Sequence, residues 1–296
     1  MTETRRGFWA YLPVVVRAPL AGLGVGLAGA NVWLVLFIKL NIVIAVTAEV
    51  VFLGAFLWWA SGGGPPRSWK ASRAESFRSV TLSGAQWFWG SIAGASFAVT
   101  VHAAMVVLFR LVPFPAVAFH AGYDLSFIPS PLLRWLTILA SAASAGICEE
   151  TGFRGYLQRP IEKRHGALVA ILASSLLFTV IHLPKGWSTI GMVPIVLGAG
   201  LLLGTLAWAS GSLVPGIIGH TLMDVGLFAY WWSQIAGTFS QRPVADTGLD
   251  YTFYLESAVF AGALILTLKA MSLLRRIARE AVGSDAAEQG DEADAG

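Results

Sequence analysis

The chain of 296 residues is 56% hydrophobic and only 12% charged, about half the charged share of a soluble domain, which excludes a solvated globular surface. Its 20 Lys and Arg against 17 Asp and Glu leave a formal charge of +3, too even a balance for a phosphate-binding face, so nucleic acid is excluded as a partner. The single cysteine, Cys148, excludes an internal disulfide framework.

A mean hydropathy of +0.67, with 32 Gly and 12 Trp, predicts an all-α integral membrane protein in which glycine packs helices and tryptophan sits at the lipid–water interface. A helix needs roughly 20 apolar residues to cross a hydrocarbon core about 30 Å thick. About eight such stretches occur, near 10–37, 42–60, 84–112, 132–158, 167–183, 191–209, 213–234 and 251–273. The first has the outline of a signal peptide, with Arg5 and Arg6 in front and the small residues Ala28, Gly29 and Ala30 behind. Arg17 interrupts its apolar core and the hydrophobic run continues, so a retained span is expected. The Arg5-Arg6-Gly7-Phe8 string also brushes the twin-arginine export signal, but so many later spans favour direct membrane insertion.

Lys39 and Asn41 mark the turn into the second stretch, and Ser61–Pro66 (SGGGPP) breaks helix structure. The chain is therefore read as an N-terminal helical pair with a basic loop (1–80), a helical bundle that carries the chemistry (81–274) and a tail (275–296) that is acidic and apolar-poor after Ala281 and expected to be disordered. Lys and Arg stay on the cytoplasmic side. Arg5 and Arg6, then Arg67, Lys70, Arg73 and Arg78, then Arg159, Lys163 and Arg164, and finally Arg275, Arg276 and Arg279 fall on alternate sides of an eight-helix count. The expected arrangement is a multi-pass protein of the cell membrane with both termini cytoplasmic. No internal repeat of the transporter kind is present.

A charge near the bilayer centre costs roughly 2.5–3.5 kcal/mol on insertion scales, so each intramembrane ionisable group needs a reason. The 132–158 stretch carries Glu149, Glu150 and Arg154, the 167–183 stretch His182, and the 213–234 stretch His220 and Asp224. Glu150 and Arg154, four residues apart on one face, are expected to neutralise each other as an ion pair. Glu149 lies about 100° around the helix from that pair. His220 and Asp224 are also four residues apart, which suits a structural pair, and a single His182 suits a satisfied core histidine. Together, however, Glu149, His182, His220 and Asp224 satisfy one another best by converging on a water-accessible pocket. Glu, His and Asp are groups that activate water, as general base and electrostatic stabilisers or through a metal. Neither an HExxH string nor a Gly-x-Ser-x-Gly elbow occurs. Cys148, in a Gly/Ala-rich helix, reads as a packing residue rather than a nucleophile.

Glu149-Glu150-Thr151-Gly152-Phe153-Arg154 resembles the EExxxR box of the CAAX-prenyl-protease and bacteriocin-processing (CPBP) family of intramembrane endopeptidases. Phe178-Thr179-Val180-Ile181-His182 is similar to its FxxxH box, and His220-Thr221-Leu222-Met223-Asp224 to its HxxxN box with Asp in the last place. The resemblance covers about 134–235 and implies an all-helical membrane protease that cuts a peptide bond. It casts Glu149 as general base on the attacking water, His182 as the water's second contact, His220 and residue 224 as facing the oxyanion, and Glu150 and Arg154 as support. The family has also been treated as metal-dependent, which would make Glu149, His182 and His220 ligands of a zinc ion with water in the fourth position. The implied partners are the lipid bilayer and a peptide or protein substrate, a lipidated CAAX tail being the eponymous case. The Asp at 224 departs from the pattern: an amide donates to an oxyanion at any pH, whereas an ionised carboxylate repels it. Asp224 is therefore expected to be protonated, to orient His220, or to bind a metal, with the first favoured.

Counting about 1.5 Å per residue from the cytoplasmic helix ends puts Glu149 about 15 Å deep, His220 about 10 Å and His182 about 22 Å, an arithmetic that sets His182 apart from the others. Outside the boxes, Glu49 is expected to pair with Arg17 or to face the bundle, His102 to be structural, His165 to be at the surface, and His120 and Asp124 to lie in a loop that gates substrate or merely connects spans. Two other functions fit the residues: an immunity or scaffold protein of the same fold without hydrolysis, and a proton-coupled transporter using buried Glu, His and Asp as a relay.

Overall fold

The computed structural model describes residues 11–120, 123–183 and 191–294, with side chains described through residue 280. Arg5 and Arg6 lie outside the described residues. Every described element is helical: α1 (Val14–Lys39), α2 (Ile42–Ala60), α3 (Lys70–Ser76), α4 (Gly84–Leu111), α5 (Ala116–His120), α6 (Pro131–Glu150), a π-helical segment (Thr151–Gln158), α7 (Arg159–His165), α8 (Ala167–His182), α9 (Met192–Ser210), α10 (Val214–Gly226), a second π-helical segment (Leu227–Trp232), α11 (Val244–Thr247) and α12 (Tyr251–Asp294). Each of the eight apolar stretches corresponds to one of the long helices or continuous helical runs. Six of them, among the described residues, are long and apolar enough alone to cross a membrane, and α8 is a shorter apolar helix.

Local chemistry sets the helix ends. Asn41 accepts the Val43 N–H at 3.0 Å and starts α2. Ser83 and Gln86 form a capping box on α4, each side chain satisfying a backbone donor that the first turn leaves without a partner. Ser130 caps α6 with Pro131 at its first position, where the missing N–H costs nothing. Gly166, at φ 86°, makes the turn from α7 to α8. The α6–π–α7 run continues to His165 through the polar Arg159–His165 segment, past the expected end near 158. The backbone of α12 continues to Asp294, so it is helical where composition predicted an unstructured tail; the Ala and Glu content there favours helix.

The EExxxR helix sits at the centre of the bundle. α1 crosses it at the first π segment, where a Cβ on Gly152 would stand 2.5 Å from the Gly22 carbonyl oxygen and 2.6 Å from the Gly26 Cα. Only glycine permits that backbone approach, the small-residue mode of membrane helix packing. On the same flank Cys148 is fully buried, with its sulfur against Gly29. Arg78 reaches from the 61–83 loop to Glu162 at 2.6 Å and to the carbonyls of Ala207 and Arg154 at 3.2 and 3.4 Å. At the opposite end, Phe109, Phe114, Phe119, Trp231 and Phe239 form one aromatic cluster. Arg110 there bonds Asp250 at 2.8 Å and Gln241 at 3.0 Å. The Phe253 N–H and Arg110 hold the Asp250 carboxyl below the usual carboxylate range.

Of the two expectations for Glu49, the structure shows the bundle-facing one and not the pair with Arg17. Glu49 is fully buried beside Ser144 and Cys148 of α6, while Arg17 lines a separate cavity with Trp59 and Trp69. Counted from Leu40 at the α1–α2 turn, Arg17 is 23 residues back and Glu49 nine forward, which puts them about 21 Å apart along the bundle.

Candidate active site

Glu149, next to last in α6, faces the cavity and is 4% exposed, and Glu150, the last residue, is fully buried. The 100° step between adjacent helical residues separates the two carboxylates. Glu150 Oε1 forms an ion pair with Arg154 Nη1 at 2.9 Å along the same helical run and also meets His220 Nδ1 on α10 at 2.9 Å. Arg154 lies in the π segment, donates from Nη2 to the Gly200 carbonyl of α9 at 3.2 Å, and has its guanidinium 4.6 Å from the Phe178 ring centre. Phe178 in turn packs on His182 with ring centres 4.3 Å apart. The aromatic residue of the FxxxH box thus shields a buried cation on one side and supports an imidazole on the other.

With Nδ1 of His220 turned to Glu150, its Nε2 faces Asp224 Oδ2 at 3.6 Å and Glu149 Oε2 at 3.9 Å. His182 Nδ1 lies 2.7 Å from the carbonyl of Phe178, which makes Nδ1 the protonated nitrogen, and Nε2 faces Glu149 Oε2 at 3.7 Å. The four side chains therefore meet on a cavity of about 160 Å³ whose other walls include Met192, Val196, Leu227 and Trp232. Separations of 3.6–3.9 Å exceed a direct hydrogen bond and suit bridging by water. Of the three helices that bring acid–base groups here, α6 and α10 relax into a π turn immediately beyond them, at Thr151–Gln158 and Leu227–Trp232, a distortion frequent at functional sites.

The depth arithmetic that set His182 apart is corrected by the helix boundary. Glu149 lies 17 residues before Gly166 and His182 16 residues after it, so the α7–α8 turn returns His182 to the level of Glu149. Glu150 carries more than ion pairing. Its contact with His220 fixes that ring's orientation, a role the sequence had offered to Asp224, which instead faces the cavity nitrogen. The Gly200 carbonyl and the Phe178 ring also support the site; the box spacing pointed to Phe178, and nothing in the sequence pointed to Gly200. Cys148 packs away from the cavity. His102 lies 3.0 Å from the Met223 carbonyl and accepts from Trp231 at 3.1 Å. His120 packs on Phe114, and Asp124 accepts the Ser126 N–H at 2.8 Å.

Two imidazoles and a carboxylate are donor types that zinc takes. Among the described residues, however, no group of three His, Cys, Asp or Glu side chains is gathered closely enough to hold a metal ion. As arranged, the described side chains do not form a metal site.

The chain matches no curated protein and no solved structure. Residues 131–226 match the family model described as type II CAAX prenyl endopeptidase Rce1-like. That segment begins at the first residue of α6, ends at the last residue of α10 and contains Glu149, Glu150, Arg154, His182, His220 and Asp224. The segment that builds the cavity thus carries an Rce1-like match, consistent with the CPBP family, and at family level that match supports a CAAX-type membrane peptidase.

Proposed function

We propose that this protein is an intramembrane endopeptidase in which Glu149 activates a water against a peptide carbonyl. The observation that carries the reading is the meeting of Glu149 Oε2 with two imidazole Nε2 atoms, at 3.7 and 3.9 Å, while the neighbouring Glu150 is committed to Arg154 and His220. His182, protonated on Nδ1, presents a lone pair at Nε2. A water between Glu149 and His182 donates one hydrogen to each, and its oxygen lone pair points at the substrate carbonyl. On attack the C–O bond forms and Glu149 takes the proton. His220 and Asp224 hold one proton between them and donate it as a hydrogen bond to the carbonyl oxygen as charge develops there. Collapse breaks the C–N bond, and Glu149 passes its proton to the leaving amine. Glu150 and Arg154 hold the His220 ring and do not exchange protons with substrate. The substrate is a membrane-associated peptide, a lipidated tail being the family's own case, and the chain is oriented with both termini cytoplasmic.

The test is hydrolysis of internally quenched, membrane-tethered peptides by detergent-purified protein, with and without chelator. Cleavage that survives chelation and gains nothing from added zinc is expected. Cleavage lost to chelator and restored by zinc would overturn the metal-free mechanism. Absence of cleavage together with solute accumulation in proteoliposomes would identify the transporter instead.

A further inference from the structure

Most deeply placed arginines outside the cavity have their charge absorbed: Arg73 donates to four carbonyls and Arg78 pairs with Glu162. The arginine-bearing end of α12 differs. Arg275 lies over the Trp208 ring of α9, its guanidinium carbon 4.2 Å from the ring centre, and its Nε is buried without a hydrogen-bond partner among the described residues. Among the described residues Arg276 pairs with Glu280 alone, at 3.7 Å with both side chains 68% exposed, a pair that solvent largely screens. Arg279 makes no ion pair among the described residues. Among the described residues, these three cations and one acid, Glu280, rim one cavity of about 520 Å³ between α9 and α12.

Below the rim the same cavity turns apolar. Leu268 and Met271 line it on α12, and the hydroxyls of Thr205 and Ser272 stand between the two zones. Residues 268 to 279 of a helix span about 16 Å, enough to pass from hydrocarbon into the headgroup layer. A free anion needs only the rim, whereas a site with cations above, hydroxyls midway and an apolar floor has the graded polarity of a phospholipid. Arginine guanidinium matches phosphate oxygens in bidentate geometry, and basic pockets between membrane helices bind anionic headgroups. We propose that the groove between α9 and α12 binds one anionic phospholipid, its phosphate held by Arg275, Arg276 and Arg279 and its upper acyl segment lying along Leu268 and Met271.

The experiment compares thermal unfolding of the detergent-solubilised full chain with added phosphatidylglycerol, phosphatidylcholine of the same acyl chains, or inorganic phosphate. Phosphatidylglycerol is expected to raise the midpoint more than phosphatidylcholine, and phosphate is expected to do little. The R275Q/R276Q/R279Q variant is expected to lose that difference while keeping its midpoint in phosphatidylcholine. Should the triple variant not fold, Arg279→Gln, at an exposed position, is expected to weaken phosphatidylglycerol binding roughly fivefold. Equal shifts from the two lipids, or a phosphatidylglycerol effect that survives the substitutions, would overturn the proposal. A phosphate effect equal to that of phosphatidylglycerol would show a free-anion site and overturn the lipid assignment.

Discussion

At Asp224 the chain carries a carboxyl where the CPBP pattern has an amide, and the geometry narrows what that carboxyl does. Its oxygen faces His220 Nε2 at 3.6 Å, on the cavity side, because Nδ1 of the same ring is taken by Glu150 at 2.9 Å. A role in orienting the ring from behind is therefore filled by Glu150. If the His220–Asp224 pair donates to the oxyanion through a shared proton, Asp224→Asn supplies a donor that cannot ionise. Its activity is expected within about tenfold of wild type, with a weaker loss at alkaline pH. Asp224→Ala removes the donor and is expected to cost about 10²–10³ in kcat. pH–rate profiles of the three proteins check this, and full activity of Asp224→Ala would remove the residue from the site. The boxes made these residues legible because EExxxR, FxxxH and HxxxD are spacings within single helices. The contact from Glu150 to His220 joins two helices 70 positions apart, and no periodicity in the sequence records it.

At the scale of elements, the first helix supports the helical run that carries Glu149, since Gly22 and Gly26 admit the backbone of Gly152. A Cβ on Gly22 would stand 2.7 Å from both the Gly152 carbonyl oxygen and the Leu157 Cβ, whereas one on Gly24 meets nothing within 4 Å. Gly22→Ala is thus expected to destabilise by about 1–3 kcal/mol through overpacking, and to lower activity by displacing the helix that carries Glu149. Gly24→Ala is expected to be neutral or slightly stabilising, since alanine is the better helix former. Paired thermal-unfolding and activity measurements decide it, and equal behaviour of the two variants would contradict the packing account. The existence of α1 was legible in its hydropathy, and its partner was not, because glycine in a membrane helix does not say which helix it admits. The π turns were likewise invisible: they shift hydrogen-bond register without changing the apolar pattern.

For the whole molecule, the apolar stretches located every long helix, but they set the end of the EExxxR helix seven residues too early, near 158 rather than 165. The segment from Arg159 to His165 is polar and reads as loop, yet it stays helical and determines where α8 starts. That error placed Glu149 too shallow and so set His182 apart from it. The alternating Lys and Arg loops predict both termini on the cytoplasmic side. In a Cys148→Ala background, single cysteines placed in the 61–81 loop and in the tail are expected to label only from that side. Labelling of the two from opposite sides would contradict the orientation.

The central claim, that Glu149 is the base and Glu150 the holder of His220 and Arg154, is tested most directly by measuring initial rates of peptide cleavage and unfolding midpoints for Glu149→Gln and Glu150→Gln beside wild type. Glu149→Gln keeps the shape of the side chain and removes the base, so cleavage is expected to fall to background with the midpoint nearly unchanged. Glu150→Gln leaves the fully buried Arg154 without its charge partner, so its midpoint is expected to drop steeply, by the equivalent of about 3–5 kcal/mol. Cleavage by Glu149→Gln at the wild-type rate, or an exchange of the two behaviours, would contradict the account.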